Sequence, residues 1–175
     1  IIEGDVARVI QKVAEEENVS LVAMSARGKS QIESVFLGSV FRSVLRFGDV
    51  PLLVILYKIL ENQDLETHCT GMPFRVLFVT DLSQSSDTAL IFLKNFQDIS
   101  ELILLNVVST GETDEEIDVN VSRTTQKIND IARKISNGGQ KITTRVIVGH
   151  PVKEVWSLAE KEDVSLITIS SQCAV

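Results

Sequence analysis

Short apolar runs alternate with amphipathic stretches along most of the chain, the pattern of strands alternating with helices and hence of a parallel α/β sheet. Between Asp5 and Glu17, Val6, Val9, Ile10, Val13 and Ala14 fall at helical spacing, which predicts a helix with one apolar face. Ser20 to Met24 follows as a buried strand, Gly38 to Phe47 as a helix carrying Val40, Phe41, Val44 and Leu45, and Leu52 to Leu56 as another strand. Gly48 stands where a left-handed helix terminator belongs, and Pro51 blocks continuation. From 57 to 73 the pattern lapses into polar residues, among them Glu61, Asn62, Asp64, Glu66 and His68, and reads as a linker. Beyond it, strands at Arg75 to Val79, Leu102 to Val108, Ile142 to Val148 and Ser165 to Ile169 alternate with helices. The first helix is marked by Ala89, Leu90, Leu93 and Phe96, and the second by Ile128, Ile131, Ala132 and Ile135. The third runs from Pro151 to Glu162, with proline in the first turn, where its missing N–H matters least.

An internal repeat organises these elements. Shifting the sequence by 145 lays Ala14-Glu15 on Ala159-Glu160, Val19-Ser20-Leu21 on Val164-Ser165-Leu166 and Ser25 on Ser170, with nine identities over residues 1–30. The helix and strand met first are therefore the helix and strand met last. That order implies a tandem pair of modules. Residues 1–56 form the back half of one, 57–73 the linker, and 74–175 the front of the next, without its last helix and strand.

Composition narrows the class. The chain has 175 residues, 44% hydrophobic and 23% charged, enough apolar residues for one or two compact cores. No apolar run nears the roughly 20 residues that span a bilayer, so no membrane partner and no secretory leader are expected. Cys69 and Cys173 are too few for a disulfide framework and lack zinc-ligand spacing, which fits a cytoplasmic protein. With 24 acids against 17 bases and a formal charge of −7, the chain is ill suited to a nucleic-acid backbone.

The chemistry concentrates in Met24-Ser25-Ala26-Arg27-Gly28-Lys29-Ser30 and in Gly38-Ser39-Val40. A small-residue turn leaving the carboxyl end of a parallel strand is where open sheets bind ligands, and a glycine-serine pair at a helix start offers free N–H donors to an anion. Such residues are also good turn formers, so phosphate binding and a plain turn both remain open. Ala23 to Ser30 lies one residue from a Walker loop, with Gly28-Lys29-Ser30 in register, but Ala23 falls inside the strand and leaves the loop too short.

The stretch from Ser25 to Val40 resembles the nucleotide motif of the universal stress protein family, in which glycines three and thirteen residues apart, the last followed by Ser or Thr, wrap ribose and phosphates. Gly28, Gly38 and Ser39 match, and Ser25 stands where the family has its first glycine. Arg75 to Ser83 resembles the family's first strand and turn, whose acid contacts adenine or ribose; Asp81 is the matching residue, a helix cap being the other reading. Leu104 to Val107 resembles the second strand, whose closing valine, Val107, offers backbone groups to adenine, and Val148-Gly149-His150-Pro151 resembles the turn before the penultimate helix.

The resemblance implies an open, doubly wound, mainly parallel Rossmann-like sheet in order 3-2-1-4-5. It also implies an adenine nucleotide, ATP or AMP with or without magnesium, held by Ser25, Gly28, Gly38, Ser39, Val40, Asp81 and Val107. These residues divide between the two modules. Thr143, Thr144 and Arg145 suit an exposed edge strand. Leu52 to Leu56 is wholly apolar, and the family pairs this strand with its counterpart, so a homodimer or a pairing within the chain is expected there. Three functions follow: a nucleotide-binding regulator in stress response, an interaction module without nucleotide, or an ATP-hydrolysing enzyme. No catalytic constellation is seen. His68 and His150 lack a nucleophile and an orienting acid, Trp156 reads as core, and the acidic stretch Glu112 to Asp118 reads as a mobile solvated loop. Cys173 is either a reactive thiol or a small buried residue.

Overall fold

The computed structural model describes residues 5–25, 39–48, 50–55, 57–59, 65–67, 74–94, 96, 98–109, 113–136 and 140–170. The chain divides into two compact units near residue 68.

In the first unit, helix α1 (Val6–Glu16) begins at Asp5, whose carboxylate accepts the Arg8 N–H at 3.1 Å and satisfies a donor that the first turn leaves unpaired. It ends at Asn18, a left-handed residue at φ +49, which asparagine tolerates better than most. Strands β1 (Val22–Ser25) and β2 (Leu52–Ile55) pair in parallel, Val22 opposite Leu52, with helix α2 (Ser39–Phe47) between them in sequence and packed on α1. Gly48 is not left-handed, contrary to the sequence reading. Its N–H donates to the Val44 carbonyl at 2.9 Å, and a Cβ would come within 2.6 Å of that oxygen, so glycine is needed for room. Inside the expected linker, β3 (Tyr57–Ile59) and β4 (Leu65–Thr67) form an antiparallel pair, Ile59 opposite Leu65. Several of the polar residues that suggested a linker lie between these short strands.

In the second unit, β5 (Phe74–Val79), β6 (Ile99–Val108), β7 (Lys141–Val148) and β8 (Leu166–Ile169) form one parallel sheet in the order β7-β6-β5-β8. Numbered within the module, this is 3-2-1-4 of the expected order. Helices α3 (Gln84–Leu93), α4 (Asp114–Ile135) and α5 (Pro151–Lys161) connect the strands. Side chains alternate faces along a strand, and both faces of β5 and β6 are covered. Val76, Phe78, Leu102 and Leu104 share a core with Leu90 and Leu93 of α3 and Ile128 of α4. Leu77, Ile103 and Leu105 share the opposite core with Val155, Leu158 and Ala159 of α5. Among the described residues β7 pairs only with β6, so it is an edge, as its threonines and Arg145 suggested.

Two further sequence readings need correction. The acidic stretch is not a loop from Asp114 onward: Thr113 caps α4 by accepting the Glu116 N–H at 3.2 Å, and Asp114, Glu115 and Glu116 occupy its first turn. Carboxylates there meet the positive end of the helix dipole, so acidity starts this helix. Trp156 is 49% exposed and is not core. The sheet takes the stripe through Val155, Leu158 and Ala159, and position 156 lies about 100° around the helix from Val155, on the flank.

The repeat is physical as well as textual. Shifted by 145, α1 and α5 have identical bounds, and Asn18 and Asp163 share φ +49. Val19 N–H reaches the Ala14 carbonyl, and Val164 N–H the Ala159 carbonyl, both at 3.0 Å.

Candidate functional site at the carboxyl end of β5

All four strands of the second unit run the same way, so their carboxyl ends gather at one end of the sheet. Strand order reverses at β5, whose neighbours are β6 on one side and β8 on the other. The crevice outside such a reversal is where open α/β sheets hold ligands.

The turn leaving β5 is held from three elements. Thr80 donates its N–H to the Leu105 carbonyl of β6 at 2.9 Å, and Asn106 Nδ2 donates to the Thr80 carbonyl at 2.7 Å. Thr80 Oγ1 accepts the Leu82 N–H at 2.9 Å, which fastens a residue in a conformation leucine avoids, φ +62. Asp81 Oδ1 accepts the Ser83 N–H at 3.0 Å and the hydroxyl of fully buried Ser86 at 2.6 Å. Ser86 Oγ in turn lies 2.8 Å from Ser170 Oγ, at the end of β8. Donation from the Ser83 hydroxyl, then from Ser86, holds the exposed Asp81 carboxyl below the usual aspartate range. The cap of α3 is Ser83, which accepts the Ser86 N–H at 3.3 Å, and not Asp81. Asp81 therefore braces the turn while remaining exposed at the sheet end.

Of the residues singled out from sequence, Asp81 closes this turn, and half-buried Val107 lies near the end of β6, opposite Ile147 of β7. Ser25 ends β1, Ser39 opens α2 and Val40 follows it half-buried, all in the first unit. Gly28, Gly38 and Cys173 lie outside the described residues. Ser170, the repeat counterpart of Ser25, bonds Ser86 where the family motif would have glycine. Ser86 and Asn106 were not singled out from sequence, although a lone amide within the apolar run Leu102 to Val108 was a usable signal. Among the described residues no group of three or more His, Cys, Asp or Glu is placed to hold a metal ion, and no helix is long and apolar enough to cross a membrane.

Known proteins give the arrangement a family. The chain is 37% identical over 49 residues to universal stress protein MJ0577 of Methanocaldococcus jannaschii, a match covering 28% of this chain and 30% of that protein. It is similar in structure to a universal stress protein from Archaeoglobus fulgidus, with TM-score 0.63, 24% identity, and coverage of 98% of this chain and 56% of that one, which shows a shared fold. The hypothetical protein PH0823 aligns with TM-score 0.53 and 26% identity over 59% of this chain and 80% of its own. The chain thus spans under a third of the curated relative it matches and about half of the Archaeoglobus protein. The sequence profile of the Universal stress protein family matches residues 1–55 and 72–172, most of the chain. The chain belongs to the universal stress protein family.

Proposed function

We propose that this chain is a regulatory protein that binds an adenine nucleotide, ATP or AMP, in the cytoplasm. Gly28, Gly38, Ser39 and Val40, beside Ser25, take phosphate and ribose, and Asp81 and Val107 occupy the corresponding adenine side in the other module. The two groups belong to different modules of a tandem pair: residues 1–56 are the back half of one, 57–73 join them, and 74–175 are the front of the next. The apolar strand at Leu52 to Leu56 pairs with its counterpart in another module or another copy.

The observation that carries this reading is the Asp81 carboxylate. It is ionised, exposed and fixed by Ser83 and Ser86 at the strand-order reversal, where a ribose hydroxyl can donate to it. A hydrogen bond to a charged group is worth about 1.5–3 kcal/mol, so Asp81→Ala should weaken ATP binding roughly 10- to 100-fold in a calorimetric titration. Equal affinity in the two proteins would remove Asp81 from the site.

A second reading has its own observation. Ser170 occupies a glycine position of the motif and bonds Ser86, which favours an interaction module without nucleotide for the second unit. The same titration separates the two, because only the first expects heat from ATP.

A further inference from the structure

Asn106 is more than nine-tenths buried in β6, and the polar partner it has found is the Thr80 carbonyl. The choice matters because of the ladder. Strands β5 and β6 pair in parallel with Val79 opposite Leu105, and Thr80 N–H continues the ladder to the Leu105 carbonyl. The next rung would carry the Val107 N–H to the Thr80 carbonyl. That acceptor takes Asn106 Nδ2 at 2.7 Å instead. A side chain thereby replaces a backbone donor, and the ladder stops one bond early. Successive residues of a central strand address opposite neighbours. Leu105 faces β5 and Val108 faces β7, where its carbonyl accepts the Gly149 N–H at 3.0 Å, so Val107 directs its N–H and C=O to the β5 side, past the point where β5 has turned away.

We propose that Asn106 is a positioning residue for the base. By capping the Thr80 carbonyl it leaves the Val107 backbone pair facing the crevice and pins the turn that carries Asp81. The identity of the ligand rests on the adenine-nucleotide reading above; the action on the ladder does not. A backbone N–H beside a C=O matches adenine, whose ring N1 accepts while its amino group donates. Hypoxanthine reverses that polarity, presenting an N1–H and a carbonyl. Asn106 therefore supports preference for adenine over hypoxanthine without touching either.

The test compares the full chain with Asn106→Leu, and with Asn106→Ala should the larger apolar side chain prevent folding. Without nucleotide, amide hydrogen exchange is followed at Val107. In the variant the freed Thr80 carbonyl recaptures the Val107 N–H, so exchange there should slow by about tenfold or more while neighbouring amides hold or quicken. General loosening of the fold would quicken Val107 along with the rest. With nucleotide, wild type should favour ATP over ITP by about tenfold, and the variant by roughly threefold or less. Unaltered or faster exchange at Val107, or the same ATP-to-ITP ratio in both proteins, overturns the role of Asn106 and leaves the nucleotide reading standing. Wild type that takes up neither nucleotide overturns the nucleotide reading whatever the exchange shows.

Discussion

Phe78→Ala is expected to lower the stability of the second unit by about 3–5 kcal/mol, the largest single loss foreseen in this chain. Phe78 is 1% exposed in β5, with β6 hydrogen-bonded on one side and β8 on the other, and it shares its core with Leu90, Leu93 and Ile128. The removed ring takes its transfer free energy with it and leaves a void walled by strands on two sides and by helices α3 and α4 above. A wall built of sheet ladder cannot collapse inward as a loop can, so relaxation recovers little. For a unit of about 100 residues each kcal/mol moves the melting temperature by about 4–8 °C, which places the variant roughly 12 °C or more below wild type. Thermal unfolding followed by circular dichroism reads the shift directly. A loss under about 1 kcal/mol would mean that the β5 centre is not the packed core described above.

Glu101→Gln should cost about 2–3 kcal/mol at neutral pH, and the cost should shrink in acid. Glu101 lies near the amino end of β6 with its side chain only 10% exposed. Its Oε2 accepts from Arg75 Nε at 3.1 Å and Nη2 at 3.0 Å, while Oε1 accepts from Lys141 Nζ and Thr143 Oγ1, both at 2.9 Å. One carboxylate thus ties the first residues of three strands together. The Lys141 bond foremost, then Thr143 and Arg75, lower the carboxyl from 4.5 to about 2 against the opposing effect of burial. A carboxyl depressed in the folded state gives stability that is complete above the unfolded value and fades as pH falls. The window here runs from about 4.5 down to about 2, and by linkage the shift is worth on the order of 3 kcal/mol. The substitution is milder than breaking a fully buried pair. Lys141 is 70% exposed and returns to water, and Arg75 keeps a salt bridge to Glu162 Oε2 at 3.4 Å as well as its bond to the Glu162 carbonyl. Urea titrations of both proteins at pH 7, 5 and 3 should show a gap that is full at the first two and visibly narrower at the third. A gap independent of pH would place the stabilisation somewhere other than the charge.

Most of the second unit was legible because its signals are redundant. The runs Val76 to Val79 and Leu102 to Leu105 are apolar at successive positions, as strands covered on both faces must be, and the polar content of Ile142 to Val148 announced an edge. The repeat was legible because the helix end at Asn18 and Asp163 demands the same left-handed turn twice. Signals with two physical sources were misread. Gly48 marks a helix end, but glycine serves there by lacking a Cβ near the Val44 carbonyl, and sequence does not distinguish room from φ. The acids at 114–116 suit either a solvated loop or a helix start, and the choice turned on Thr113, three residues before Glu116. Trp156 sits beside the apolar stripe of α5, and whether a flank is covered depends on tertiary neighbours. In the candidate site, Asp81 was singled out through the resemblance of Arg75 to Ser83 to the family's first strand and turn, its place after a strand by itself suggesting a helix cap. The bracing by Ser86, Ser170 and Asn106 was not, since those contacts join residues up to 84 apart in the chain.

A calorimetric titration of the intact wild-type chain with ATP, preceded by acid denaturation to release and quantify anything carried through purification, asks whether this fold still holds what its loops resemble. Saturable heat at sub-millimolar ATP, or adenine nucleotide in the denatured supernatant near one per chain, is the result expected. A flat titration together with a supernatant free of adenine absorbance would contradict it and leave a stress-family fold used only for association.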